Sequence, residues 1–158
     1  MTLAITSPIN GVVGAGVSGF TSPTYTYAVG QSPYPNSRYG TITAKGGTQP
    51  SGVTVHSASK PFAITSTQPQ KIAVLPPLNS SGQLRNVPKN TYHVRVDMGL
   101  LCLAGQPYEI GSIDIEMKIP AGADLADPDN VKAMIICAAG AIAQLVPGAV
   151  DTALSGTG

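Results

Sequence analysis

The sequence predicts an α+β fold, with a β-hairpin, four or five further antiparallel strands, and two C-terminal helices on one face of the sheet. Three observations predict it. Tyr92, Val94, Val96 and Met98 alternate with His93, Arg95 and Asp97, and Ile113, Ile115, Met117 and Ile119 alternate with Ser112, Asp114, Glu116 and Lys118. Period-two alternation is the mark of a strand with one covered face. The 18 Gly and 14 Pro lie mostly before the last third of the chain, as expected for short strands joined by turns. From Asp127 onward the apolar period changes from two to between three and four.

In chain order, Leu3–Thr6 and Gly11–Gly14 flank Ser7-Pro8-Ile9-Asn10, which reads as the turn of an N-terminal hairpin. Thr24–Val29, Tyr39–Lys45 and Val53–His56 read as strands. Phe62–Thr67 and Lys71–Leu75 are separated by Gln68-Pro69-Gln70; they are either two strands, of which one is complete, or one strand with a proline irregularity. Pro76–Asn90 is a polar loop. Thr91–Met98 is the best-defined strand, and Tyr108–Ile119 pairs with it across the connection Gly99–Pro107. Asp127 is placed as a helix N-cap with Pro128 at the first helical position. Val131, Met134, Ile135, Ala138, Ala141, Ile142 and Leu145 make its apolar stripe, and the opposite side is mostly Ala and Gly. Pro147 is expected to end this helix, with a second short helix over 148–154.

At 158 residues the expectation is one domain, with a hairpin over 1–20, a sheet over 21–120 and helices over 127–155. Charged residues are 11%, about half the usual share, which hints at self-assembly. The net charge of +1 conceals an asymmetry. Residues 1–96 hold seven bases and no acid, whereas residues 97–158 hold eight acids against Lys118 and Lys132. A basic, acid-free half points to a polyanionic partner. The two cysteines are too few for a disulfide framework, and no secretory signal is evident. The longest apolar run, Met134–Ala143, is expected to be too short to span a membrane.

Catalytic and cofactor signatures are weak. His56 and His93 have no Cys or Glu at ligand spacing, so neither a metal nor another cofactor is expected. Gly14–Gly19 nearly fits a dinucleotide fingerprint but lacks its flanking strand and helix. Asp114 and Glu116 share a strand face, as a hydrolase pair would, yet nothing marks a cleft around them, and no small-molecule substrate is expected. A β-rich surface or adhesion module without a nucleic-acid partner is an alternative that the strand content also fits. Cys102, in the connecting loop, is either a small buried residue or a thiol able to cross-link to a neighbouring subunit.

Residues 90–156 resemble the coat proteins of single-stranded RNA bacteriophages, the leviviruses. Three stretches carry the resemblance: Thr-Tyr-His-Val-Arg-Val-Asp-Met at 91–98, Ile-Asp-Ile-Glu-Met-Lys-Ile-Pro at 113–120, and the acidic helix start, Ala-rich helix, proline and short final helix. The resemblance implies an N-terminal hairpin over a five-stranded antiparallel sheet. It also implies an intertwined homodimer with a ten-stranded sheet, and an icosahedral shell around genomic RNA. The virion would assemble in the bacterial host's cytoplasm, and the same sheet face would bind an RNA hairpin to repress translation. His93, Arg95, Asp97, Ser112, Asp114, Glu116 and Lys118 fall at RNA-facing positions of such a sheet, with Thr65, Thr67 and Lys71 on the preceding strand. The family often has an aromatic residue and an amide where Ser112 and Asp114 stand, so any hairpin readout differs here. Several members carry paired cysteines in the loop at 99–107, where this chain has only Cys102.

Overall fold

A computed structural model describes residues 3–10 and 17–155. The sheet has six strands: β1 (Ile9–Asn10), β2 (Thr21–Gly30), β3 (Ser37–Thr48), β4 (Phe62–Thr67), β5 (Lys89–Leu101) and β6 (Tyr108–Pro120). They lie in sequence order, each antiparallel to the next. Two helices follow, α1 (Ala123–Ala126) and α2 (Pro128–Ser155). The α+β class is as the sequence predicts, with six strands in the one sheet rather than five.

The extra strand comes from the expected N-terminal turn. Ile9 and Asn10 do not turn but pair with Tyr25 and Thr24, so β1 joins the sheet edge. Gly11–Gly14, the second arm expected for the hairpin, lies outside the described residues. The stretch before β1 lies on the apolar sheet face. Ile5 and Ile9 pack against a core of Tyr27, Ile42 and Ile64, joined by Phe62, Val94 and Val96. Two side-chain bonds anchor it: the Tyr27 N–H donates to Ser7 Oγ at 3.0 Å, and Ser66 Oγ donates to the Leu3 carbonyl at 3.2 Å. The first falls where the β2–β3 register shifts between Thr26 and Tyr27, so a hydroxyl supplies an acceptor at a ladder irregularity. Gly40 is required there: a Cβ on it would lie 2.4 Å from Tyr27 Cζ and 2.5 Å from the Ala28 carbonyl oxygen.

One expected strand, Val53–His56, is absent, and of the next two segments only Phe62–Thr67 is a full strand, one of the two alternatives expected. Val53–His56 is extended but makes one ladder-like bond, from the His56 N–H to the Ile42 carbonyl at 2.8 Å. It lies beside β3 past Thr41, where the pairing with β4 ends. His56 has a structural task, its Nδ1 accepting the Phe62 N–H at 3.0 Å where β4 begins. Lys71–Leu75 is not a strand either. β4 ends at Thr67, ahead of Pro69, which has no N–H to continue a ladder. The buried Asn90 side chain holds this segment instead, accepting the Ala73 N–H at 2.8 Å and donating to the Ala73 carbonyl at 3.4 Å.

The helical end also differs from expectation. A one-turn α1 precedes the predicted helix, led by Gly122 at φ 84°, a left-handed conformation that suits glycine. α2 starts at Pro128 as expected, and the Asp127 carboxylate accepts the Asn130 side-chain amide at 2.9 Å and 3.0 Å. It does not stop at Pro147 but continues as one helix of 28 residues. Proline removes one N–H and blocks one carbonyl, a cost that an exposed helix lowers by hydrating the freed carbonyl. No residue of α2 is buried, and its substantial packing within the chain is with α1 alone.

The sheet is therefore covered unevenly. The N-terminal stretch packs over the core centred on β2–β4, while Ile113 on β6 stays 67% exposed on the same face as Val94 and Val96. Within the chain α2 makes no substantial contact with this face.

Candidate nucleic-acid interface

The opposite face of the sheet is polar, and its register follows from the ladders. One row runs Tyr39–Thr65–Arg95–Asp114, and the next runs Ser37–Thr67–His93–Glu116. A third places Thr41, Ala63, Asp97 and Ser112 in line, and Lys118 stands opposite Thr91. Residues directly opposite in antiparallel strands share a face, so the alternation read along β5 and β6 extends across four strands.

A cavity of about 800 Å³ opens on this face. Thr65, Thr67, His93, Arg95 and Asp97, all expected site residues, line it together. The remaining wall is the β2–β3 turn, Gln31–Tyr34, with Tyr39 from β3. Sequence reasoning missed these tyrosines. Tyr39 carried a usable signal, since it leads an alternating segment at the same parity as Thr41 and Thr43. Tyr34 lies between two prolines and carried none.

Ser112, Asp114, Glu116 and Lys118 lie outside the cavity, on the same face along β6. Lys71 is exposed in the β4–β5 connection and not on a strand, which corrects its expected placement beside Thr67. Cys102 is exposed and unpaired, just past the end of β5.

Three bases on the β5–β6 part of this face, Arg95, Lys118 and His93, each have an acid beside them. Arg95 Nε donates to Asp97 Oδ1 at 2.7 Å, Lys118 Nζ lies 2.9 Å from Glu116 Oε2, and His93 Nε2 lies 3.3 Å from Asp114 Oδ1. The Asp97 carboxylate, by its hydrogen bond and then by its charge, raises the Arg95 pKa above the ordinary guanidinium value. The charge asymmetry of the sequence is thus partly cancelled in space. Asp97, Asp114 and Glu116 belong to the acidic part of the chain but pair with bases on one sheet face. Lys71, Arg85 and Lys89 are exposed in or beside the β4–β5 connection.

No protein-family model matches the sequence, and no curated protein matches it either. Solved structures do match. A chain of the virus-like particle of bacteriophage ESE020 superposes with a TM-score of 0.89 at 39% identity, covering 98% of both chains. A chain of the virus-like particle of Beihai levi-like virus 32 shares the fold, with a TM-score of 0.51 at 16% identity over 85% of this chain and 88% of that one.

An antiparallel sheet with one polar face, an apolar helix left uncovered and full-length likeness to a particle-forming chain define a capsid subunit, a structural protein that assembles with its own copies into a virion shell. The chain belongs to the coat proteins of the single-stranded RNA bacteriophages, the levivirus type.

Proposed function

We propose that two copies of this coat protein pair through α2 and the open edge of β6, and that the resulting twelve-stranded sheet, ten-stranded without the two short β1 strands, turns its polar face toward packaged single-stranded RNA. The pairing is supported by complementary lacks: the face bearing Ile113 and Ile115 has no cover, α2 has no sheet beneath it, and β6 ends the strand order with one edge unpaired. Unpaired edges and uncovered apolar faces are liabilities that association removes. By length and mean hydropathy alone α2 would also suit a bilayer. Membership in a particle-forming family favours a protein cover. The shell is read as icosahedral and as assembled in the cytoplasm of the bacterial host.

The observation that carries the RNA reading is the cavity joining Thr65, Thr67, His93, Arg95 and Asp97 on the polar face. Beside it, Ser112, Asp114, Glu116 and Lys118 extend the RNA-facing surface along β6, and Lys71 contributes a phosphate contact from the loop. Phosphate contacts hold RNA regardless of sequence, whereas base contacts select it. A face whose charges are already paired suits the second task, and we assign it the binding of an RNA hairpin that represses translation.

The test is the nucleic-acid content of purified particles. Wild-type particles are expected to show the absorbance of packaged RNA. Arg95→Ala removes a cation and leaves Asp97 uncompensated, so RNA affinity is expected to fall by about tenfold while the subunits still pair. Unchanged RNA content in that variant would remove Arg95 from the interface.

We further assign the Cys102 thiol to a cross-link between neighbouring subunits. Nonreducing electrophoresis of oxidised particles is expected to show a covalent dimer that Cys102→Ser lacks. A ladder retained in that variant would exclude the assignment.

A further inference from the structure

We propose that the cavity on the polar face selects an unpaired guanine of single-stranded RNA. The inference rests on the reading of this face as RNA-bearing and goes beyond it by naming the base.

The dimensions admit a nucleotide. A cavity of about 800 Å³ is within the range of small-ligand sites and has room for a base with its sugar. Tyr34 and Tyr39 both line it, while Tyr27 is part of the core and Tyr25 packs against it. Tyr34 is 62% exposed, a large ring surface left without cover. Its backbone is nevertheless held in place. The Tyr34 carbonyl accepts the Ser37 N–H at 3.1 Å and lies 3.0 Å from the hydroxyls of both Ser32 and Ser37. An exposed ring on a braced turn is a preorganised stacking platform, and stacking serves any base.

Selection among bases comes from Arg95 and Asp97. Their bond joins Nε to Oδ1, which leaves Asp97 Oδ2 and the two terminal guanidinium nitrogens for a ligand. The pair is internally neutralised, so it holds a phosphate poorly and a polar base edge well. Guanine presents two adjacent donors, N1–H and the N2 amino group, to a carboxylate. It also presents O6 and N7 as acceptors to a guanidinium. Adenine and cytosine each offer the carboxylate one amino group beside a ring acceptor, and uracil offers one N–H between two carbonyls. Those acceptors would face a carboxylate oxygen, so guanine alone satisfies both side chains. Thr65 and Thr67 add hydroxyls that can serve as donor or acceptor along the cavity wall.

The experiment measures binding of short oligouridines with a single central G, A or C to the purified full-length protein at one fixed salt concentration. The G oligomer is expected to bind at least about tenfold tighter than the A and C oligomers. Tyr34→Ala, at an exposed position, is expected to weaken all of them by about tenfold. The near-isosteric Asp97→Asn is expected to bring the G oligomer down to the affinity of its A and C counterparts. Equal wild-type affinity for G, A and C overturns the guanine assignment while leaving the RNA reading intact, as does a G preference that survives Asp97→Asn. Failure of every oligomer to bind, together with particles free of nucleic acid, overturns both.

Discussion

Placing a carboxylate in the apolar stripe of α2, as Ile142→Asp, is expected to abolish particle formation. Met134, Ile135, Ile142 and Leu145 are all exposed in the single chain although they are large and apolar. With Val131, Ala138 and Ala141 they form a stripe at the three- and four-residue spacing of a buried face. Covering that stripe with a second copy would remove it from water at roughly 25 cal/mol per Å². A carboxylate at its centre loses that gain and adds a desolvated, unpaired charge, for a cost of several kcal/mol. Because about 1.4 kcal/mol is tenfold in an association constant, the pairing should weaken by more than a hundredfold. Ile113→Asp on the uncovered sheet face should produce the same loss, since the two surfaces are read as mates. Lys132→Ala, which removes a solvated ion pair to Asp129, should leave assembly unchanged. Electron microscopy and sedimentation check all three. Normal yields of particles from Ile142→Asp would show that α2 is not covered in the shell, and recovery of the wild-type protein with membrane vesicles would make a bilayer its cover.

Truncating the centre of the core, as Ile42→Ala, is expected to destabilise the fold by about 3 kcal/mol. Ile42 is 1% exposed and packs with Tyr27 and Ile64. Its removal opens a cavity beneath the N-terminal stretch, which is tied down only through a few apolar side chains and the bonds at Ser7 and Ser66. That cost is a large fraction of an ordinary domain's stability, about 5–15 kcal/mol. Since assembly and folding are linked by mass action, the comparison belongs at one fixed protein concentration. Val29→Ala, at a position 77% exposed on β2, is the control and should stay within about 0.5 kcal/mol. Chemical denaturation measures both. Equal shifts for the two variants would contradict a core centred on Ile42.

Parts of this fold are legible in the chain because they are local. Strict alternation at Tyr92–Met98 and Ile113–Ile119 is a property of one strand, and it survives as β5 and β6, each extended by a few residues. Asp127-Pro128 likewise marks the start of α2 from its own residues. Val53–His56 and Lys71–Leu75 have the composition of strands, but a strand needs a run of partners along a neighbouring edge. One reaches β3 through a single ladder-like bond at Ile42, and the other was captured by the Asn90 side chain. Pro147 has the composition of a stop, but whether proline ends a helix depends on what surrounds the carbonyl it frees.

The interface divides along the same line. His93, Arg95 and Asp97 could be assigned to one face because period two is set by backbone geometry. That Thr65 and Thr67 stand beside them, with Tyr34 and Tyr39 completing the wall, depends on cross-strand register. Register is chosen cooperatively by the whole sheet and leaves no mark in any one segment. The charge pattern shows the difference most clearly. By itself the sequence determined a basic, acid-free first part, an alternating polar face and an apolar helix too poor in charge to stand in water alone. Arg95–Asp97 and Glu116–Lys118 are neighbours two residues apart on one strand face and follow from the alternation. Only the tertiary structure decided that Asp114 of β6 comes to rest against His93 of β5, because that pair depends on distance across strands. It alone decided, too, that α2 leaves its own sheet uncovered, since the connection through α1 sets where the helix points.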